Sequence, residues 1–463
     1  MLFNSFEFLL LFGLTFAIYW SVSQPYRKPV LIVASVLFYA SWSLAFTVHF
    51  LAAIIINYIF YRLFIRKRQA GFLIFIVTVN FINLAIFKYY YFGLDVLQHF
   101  LSPEVIATIT PGPGKSIEAI ILPLAISFYT FQIVAFQIDV YRRSIDYQVS
   151  FTDFFLFIIF FPQLIAGPIM RHSEFLPFID KPKRITDTRL DHAAYLIAVG
   201  LLKKVVIADS LARIINPVYQ DPASYNAGAN LIAAYGFAIQ IYMDFSGYSD
   251  MARGLGRALG FNLPINFKAP YLSSSFAETW RRWHITLSTW LRDYLYISLG
   301  GSRAGKFRTL LNSFITMVLG GLWHGANYTY IAWGALCGGL LIIERIFGLN
   351  KGTVTGFRLF FRRFVVFHFW ILGAIFFRSE SISKAFEMIQ SFANFEGQKV
   401  AITTSLGLLF LVPFIMQVLE YYPARLRPLI RHKKVLLPVG IIILAFMITT
   451  LTTTSQPFFY FQF

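Results

Sequence analysis

The chain has 463 residues, of which 57% are hydrophobic, 19% aromatic and only 13% charged. A soluble protein of this length has no interior large enough to hide so much apolar surface. Many windows also reach the ~20 apolar residues that cross a bilayer, so the composition defines an all-α polytopic membrane protein. The net charge of +18 would point to nucleic acid in a soluble chain. Here the basic residues fall mostly in loops between apolar segments, where membrane orientation explains them and no nucleic-acid partner is needed.

Residues 2–20 read as a first span. They lack a basic leader, carry Glu7 and offer no small-residue cleavage site, so a retained helix is expected. A basic loop follows at 24–29, then spans at 30–40 and 45–61, then a second basic loop with Arg62, Arg66, Lys67 and Arg68. Residues 72–91 span again and end in Tyr89, Tyr90 and Tyr91, as an interfacial aromatic belt does. Residues 93–116 contain Pro103, Pro111, Gly112, Pro113 and Gly114 and read as a loop or surface segment, followed by a span at 117–141.

Residues 151–170 are apolar but broken at Phe161-Pro162-Gln163 and Ala166-Gly167-Pro168, with basic flanks on both sides. That pattern predicts a segment that enters and leaves by the same face, which is tolerated where protein shields the backbone. Residues 171–191 read as a polar loop, and 193–211 and 229–250 as spans. The stretch 251–310 carries nine Lys and Arg and predicts short helices at the cytoplasmic interface. Residues 311–323 and 328–347 form an apolar pair hinged at His324, and 364–377, 401–419 and 435–451 complete the spans. The total is roughly 11–13 membrane helices and re-entrant segments. No loop outside 251–310 is long enough to fold alone. The chain therefore reads as one membrane-embedded domain over 1–463, with 251–347 as its cytoplasmic-interface and active-site region.

With the N-terminus outside, the inside loops hold 31 of the 40 Lys and Arg and the outside loops only Lys115, Arg213, Lys384 and Lys399. This distribution requires 151–170 and 311–347 each to return to the inside, and it leaves both termini outside. A helix from residue 311 to His324 climbs only ~20 Å. The hydrocarbon core is ~30 Å thick, so His324 is expected inside the membrane, short of the outer face.

An ionisable group among apolar helices calls for a local or functional reason. His324 lies in Leu322-Trp323-His324-Gly325-Ala326-Asn327. It could be a core histidine bonded to a carbonyl. Alternatively, shielded from water and neutral, it can take a proton from an attacking hydroxyl. Gly325 and Ala326 leave room for substrate, and Trp323 could wall the site. A second histidine, His284, stands in the aromatic and basic run from Trp280 to Tyr294. Arg281 and Arg282 there, with Arg292, Arg303, Lys306 and Arg308, match the phosphates of a nucleotide-like donor, although lipid headgroups would satisfy them equally. Asp244 and Asp250 are expected to pair with nearby arginines in a structural role. No histidines stand four apart in a His-Glu-x-x-His pattern, and Cys337 is the single cysteine, so neither a metal site nor a disulfide is expected. No Gly-x-Ser-x-Gly elbow is present.

Taken together, several stretches resemble the membrane-bound O-acyltransferases, and among them the bacterial alginate O-acetylation branch. They are Met1-Leu2-Phe3-Asn4-Ser5, Phe160-Phe161-Pro162-Gln163-Leu164, Ala166-Gly167-Pro168-Ile169, Tyr242-Met243-Asp244-Phe245-Ser246-Gly247-Tyr248, Trp280 to Gly301, Gly321 to Asn327, and Phe459-Tyr460-Phe461-Gln462-Phe463. The resemblance implies a many-helix fold around a funnel and tunnel. It makes His324 the catalytic histidine and His284 the second histidine of the active region. Trp323, Asn327, Arg281, Arg282 and Asp293 are the further candidates for the donor site or tunnel. It also implies transfer of an acetyl group from a cytoplasmic thioester, acetyl-CoA, without a tightly bound cofactor. The acetyl group would go toward O-acetylation of a cell-surface polysaccharide, such as an alginate-like exopolysaccharide or peptidoglycan. The location would be the bacterial cytoplasmic (inner) membrane, with a periplasmic or extracellular partner of serine-hydrolase-like fold. The alternatives are D-alanyl transfer to teichoic acid and a transporter or flippase.

Overall fold

The computed structural model describes residues 1, 3–109, 122–303, 305–349, 352 and 354–422. They form helices and, among the described residues, no β-strand. In chain order the α-helices are α1 (Phe6–Ser21), α2 (Gln24–Ala40), α3 (Leu44–Lys67), α4 (Ala70–Lys88), α5 (Tyr90–Leu97), α6 (Pro103–Ile109), α7 (Ile126–Tyr141), α8 (Phe151–Ile159), α9 (Phe161–Leu164) and α10 (His172–Ile179). There follow α11 (Leu190–Leu201), α12 (Asp209–Gln220), α13 (Ala227–Ala258), α14 (Phe276–Arg282), α15 (Ile285–Trp290), α16 (Lys306–His324), α17 (Tyr328–Ile346), α18 (Gly356–Arg378), α19 (Ile382–Gln390) and α20 (Thr404–Tyr421). Among these, α3, α4, α17, α18 and α20 are long and apolar enough to cross a membrane, and α1 is a shorter apolar helix. The expected span at 435–451 lies outside the described residues.

Several expected loops are helical. Pro25 stands in the first turn of α2, where a missing N–H costs nothing, so residues 24–29 begin a helix instead of forming a loop. Helix α3 runs on through Arg62 and ends with Arg66 and Lys67 in its last turn, where cations favour the C-terminal end of the helix dipole. The 93–116 and 171–191 stretches likewise contain α6 and α10.

Among the described residues, those within 1–188 and 259–263 form one compact unit, and those within 189–258 and 264–422 form another. In the first unit the expected break in 151–170 falls at Phe160, whose extended ψ of 105° separates α8 from α9. Buried polar side chains there find one another. Asn57 and Asn80 exchange amide hydrogen bonds of 3.0 and 2.8 Å. Gln163 donates to Gln132 at 2.9 Å, and Nδ1 of His172 lies 3.0 Å from the Asp139 carboxylate.

The second unit is built on α13, which is 32 residues long. It packs on α11 through glycines: a Cβ on Gly247 would lie 2.8 Å from the Gly200 carbonyl oxygen, and one on Gly254 2.8 Å from that of Ala193. Small residues let the two backbones approach, which is how apolar helices gain dispersion energy in a lipid environment. Between α11 and α12 a π-helical stretch, Leu202–Ala208, brings both Lys203 and Lys204 into the interior. Lys204 pairs with Asp244 at 2.6 Å and Asp209 at 2.8 Å, and Lys203 with Asp250 at 2.7 Å. The acids of α13 thus meet mainly lysines and not the arginines expected. Arg253, at 3.2 Å from Asp250, does fit that expectation.

Candidate active site

Helices α16 and α17 pack as a tight antiparallel-type pair because glycines line their contact. A Cβ on Gly321 would lie 2.2 Å from the Tyr330 carbonyl oxygen, and one on Gly334 2.5 Å from that of Met317. Helix α16 begins at Lys306, five residues before the expected span, and ends at His324. Extended backbone at Gly325 (φ −165°, ψ 152°) stops it. A side chain on Gly325 would run into the Tyr330 ring at 2.0 Å, so the glycine is needed for the hinge to fold against α17. Asn327 then caps α17 by accepting the Thr329 N–H at 3.0 Å, and its amide donates to the Glu380 carbonyl at 2.9 Å. Asn327, a donor-site candidate from the sequence, is therefore engaged in fixing the hinge.

His324 is 3% exposed. Its ring stands perpendicular to Trp333 at 5.2 Å, and it meets Trp323 at 5.0 Å and Phe377 at 5.2 Å. Beside it is a small cavity of about 20 Å³ lined by Phe237, Ile241, Trp283, His324, Trp333, Trp370, Ala374 and Phe377. That space admits one water or a group of a few atoms. The tryptophans brace each other: Trp283 meets Trp370 at 5.0 Å, and Trp280 meets Trp333 at 5.8 Å and Trp370 at 5.6 Å.

His284 is fully buried and adopts a left-handed backbone (φ 41°, ψ 55°) at the start of α15. Such a conformation costs a non-glycine residue energy and persists where its surroundings hold it. Asn266 is the holder. Its carbonyl accepts the Ile285 N–H at 2.9 Å, and its side-chain oxygen accepts the Thr286 N–H at 3.2 Å and the Thr286 hydroxyl at 3.0 Å. His284 Nδ1 lies 3.2 Å from the same oxygen. An oxygen identified by a backbone N–H donor can only accept, so Nδ1 carries the proton and Nε2 is the basic nitrogen of the neutral ring. The His284 ring stands edge-on to Phe245 at 4.6 Å and to Trp323 at 6.3 Å. Trp323 therefore touches both histidines.

The remaining candidates lie apart from the cavity lining. Arg281 is exposed at the end of α14. Arg282 donates to Glu278 at 2.8 Å and to the Lys268 carbonyl at 3.0 Å. Asp293 pairs with exposed Arg292 at 2.6 Å. Sequence reasoning missed Asn266, Trp333, Trp370 and Phe377. Each stands in an ordinary segment: the packing of α17 and α18 against α14 and α16 brings Trp333, Trp370 and Phe377 to the His324 cavity, and the segment before α14 folds Asn266 onto the start of α15 beside His284. No cluster of three metal-binding side chains occurs among the described residues.

These features define a multi-pass α-helical membrane protein with two buried histidines joined through a tryptophan. The family model for membrane-bound O-acyltransferases matches residues 36–386. The chain is 40% identical over 403 residues to the probable alginate O-acetylase AlgI of Pseudomonas aeruginosa, covering 85% of this chain and 75% of that protein. It is 33% identical over 405 residues to the peptidoglycan O-acetyltransferase of Helicobacter pylori, covering 80% and 75%. With the teichoic acid D-alanyltransferase of Streptococcus thermophilus it shares 30% identity over 248 residues, 50% of this chain and 59% of that one. The chain belongs to the membrane-bound O-acyltransferase family and is an acyltransferase.

Proposed function

We propose that the protein transfers an acetyl group from a cytoplasmic thioester, acetyl-CoA, toward hydroxyls of a cell-surface polysaccharide of the alginate or peptidoglycan kind. The whole chain serves as one membrane-embedded acyltransferase domain in the bacterial cytoplasmic membrane, with both termini extracytoplasmic. It works with an extracytoplasmic partner that completes polysaccharide acetylation. The observation that carries this reading is the cavity at His324: about 20 Å³ behind a wall of tryptophans suits a short acyl group such as acetyl better than a long chain. D-alanyl transfer rests on a relative that matches only half of this chain.

In this reading His324 takes the proton from the acceptor hydroxyl as its oxygen attacks the thioester carbonyl carbon. The carbon–sulfur bond then breaks, and the thiolate leaves with the proton returned by His324. His284, with Nε2 as its basic nitrogen and Trp323 between the two rings, orients donor or acceptor. Arg281, Arg282 and Asp293 belong to the approach of the donor and not to the reacting atoms.

The test is transfer in proteoliposomes loaded with radiolabelled acetyl-CoA and offered a hydroxyl acceptor outside. Acetyl ester should form outside with wild-type protein and not with His324→Ala. Ester formation from a D-alanyl carrier-protein thioester, and none from acetyl-CoA, would overturn the assignment.

A further inference from the structure

A second, larger cavity of about 470 Å³ lies in the same unit, between α13, α18 and α20. Its size falls in the ~300–1,000 Å³ range of ligand sites. Its lining is almost wholly aromatic and aliphatic, and its flanking residues Phe360, Phe364 and Phe414 are 64%, 49% and 59% exposed. Both α18 and α20 are apolar enough to cross a membrane, so these exposed rings mark a groove that opens toward lipid.

One polar side chain inside it is conspicuous. Gln417 is 2% exposed, and neither its amide nitrogen nor its oxygen has a hydrogen-bond partner. A buried carboxamide in that state costs free energy unless something enters to meet it. The Nε of Arg363, another lining residue, is also buried and without an acceptor. One turn beyond Gln417 on α20, the Tyr421 ring holds the Arg363 guanidinium at 4.8 Å and the Arg282 guanidinium at 4.6 Å. Glu420, the nearby acid, is engaged by the Tyr242 hydroxyl at 2.8 Å. Along one face of α20 the chemistry thus runs from apolar at Phe410 and Phe414, to an amide at Gln417, to cations at Tyr421. At 1.5 Å per residue, Phe410 to Gln417 spans ~10 Å and Gln417 to Tyr421 a further ~6 Å.

That order is the order of a glycerophospholipid: acyl chain, ester, phosphate. We propose that the groove binds one acyl chain of an anionic phospholipid from the bilayer, with Gln417 donating to the ester carbonyl and Arg363 meeting the phosphate. The apolar lining argues against the acyl donor as occupant, since a nucleotide carries several charges and the groove itself offers one arginine.

The experiment is native mass spectrometry of the full chain, delipidated in detergent and titrated with dioleoyl phosphatidylglycerol or dioleoyl phosphatidylcholine. One phosphatidylglycerol should bind more tightly than phosphatidylcholine. Arg363→Ala should weaken phosphatidylglycerol by about fivefold and erase the preference, as loss of one cation near a lipid phosphate does. Gln417→Leu should weaken both lipids while leaving the preference. In wild-type protein, which needs no variant to fold, phosphatidylglycerol with a photoreactive chain end should label the peptide containing Phe410 and Phe414. Equal binding of the two lipids, labelling elsewhere, or displacement of the lipid by coenzyme A would overturn the proposal; the last result would assign the groove to the donor.

Discussion

The side-chain oxygen of Asn266 lies 3.2 Å from Nδ1 of His284 and fixes which ring nitrogen carries the proton. The same oxygen takes two hydrogen bonds from Thr286, so it cannot turn away without leaving buried donors unmet. Asn266→Leu should therefore lower kcat by about 10–100-fold, the equivalent of one unmet buried donor at ~1–3 kcal/mol. Asn266→Asp keeps an acceptor for all three donors and should retain more activity than the leucine variant. Equal losses in the two variants would mean that Asn266 fills space and does not orient the ring.

The two histidines should differ in severity. His324→Ala should insert and fold normally and lose acetyl transfer by about 10²–10⁴-fold, the usual contribution of a general base. His284→Ala should be slower than wild type yet measurable. Ester formation counted per mole of protein separates them. If His284→Ala is the more damaging, the roles should be exchanged.

Helix α17 offers a paired test of the hinge. A Cβ on Gly334 would lie 2.5 Å from the Met317 carbonyl oxygen, whereas one on Gly339 meets nothing within 4 Å. Gly334→Ala should lower thermal stability in detergent by ~1–3 kcal/mol through overpacking. Gly339→Ala should be neutral or stabilising by ~0.5–1 kcal/mol, because alanine loses less backbone entropy in a helix. The same melting curves decide both.

Lys204 is the shared cation of Asp209 and Asp244, and all three side chains are nearly inaccessible. Lys204→Met should cost ~3–5 kcal/mol, because it strands buried carboxylates. A melting temperature within a degree or two of wild type would show that the buried cluster of Lys204, Asp209 and Asp244 contributes little.

The depth of the site is open to chemical labelling. Cys337 is buried and can be replaced by alanine to give a cysteine-free background. Glu380 and Tyr328 are exposed near the hinge, whereas Ala374 lines the His324 cavity and is 6% exposed. Cysteines at the first two positions should react with a bulky impermeant maleimide added outside, and one at Ala374 should resist it. Ready reaction at Ala374 would make the site an open outer vestibule.

Composition and apolar runs were enough to show a membrane protein. A bilayer demands long uncharged segments, and the +18 charge then has to lie between them. That His324 would be shielded from water was legible for a similar reason, since it stands beside Gly325 in apolar sequence, and the structure buries it. Helix boundaries were less legible: Pro25 and Arg66 looked like loop residues, yet both are good residues at the ends of helices. The partners of Asp244 could not be read either, because the π-helical turn that brings Lys204 inward leaves no mark in hydrophobic periodicity. Asn266, Trp333, Trp370 and Phe377 come from four separate stretches of chain. Only the tertiary structure sets the first against His284 and the other three around His324, because side-chain neighbourhood depends on how helices cross and not on spacing along the sequence.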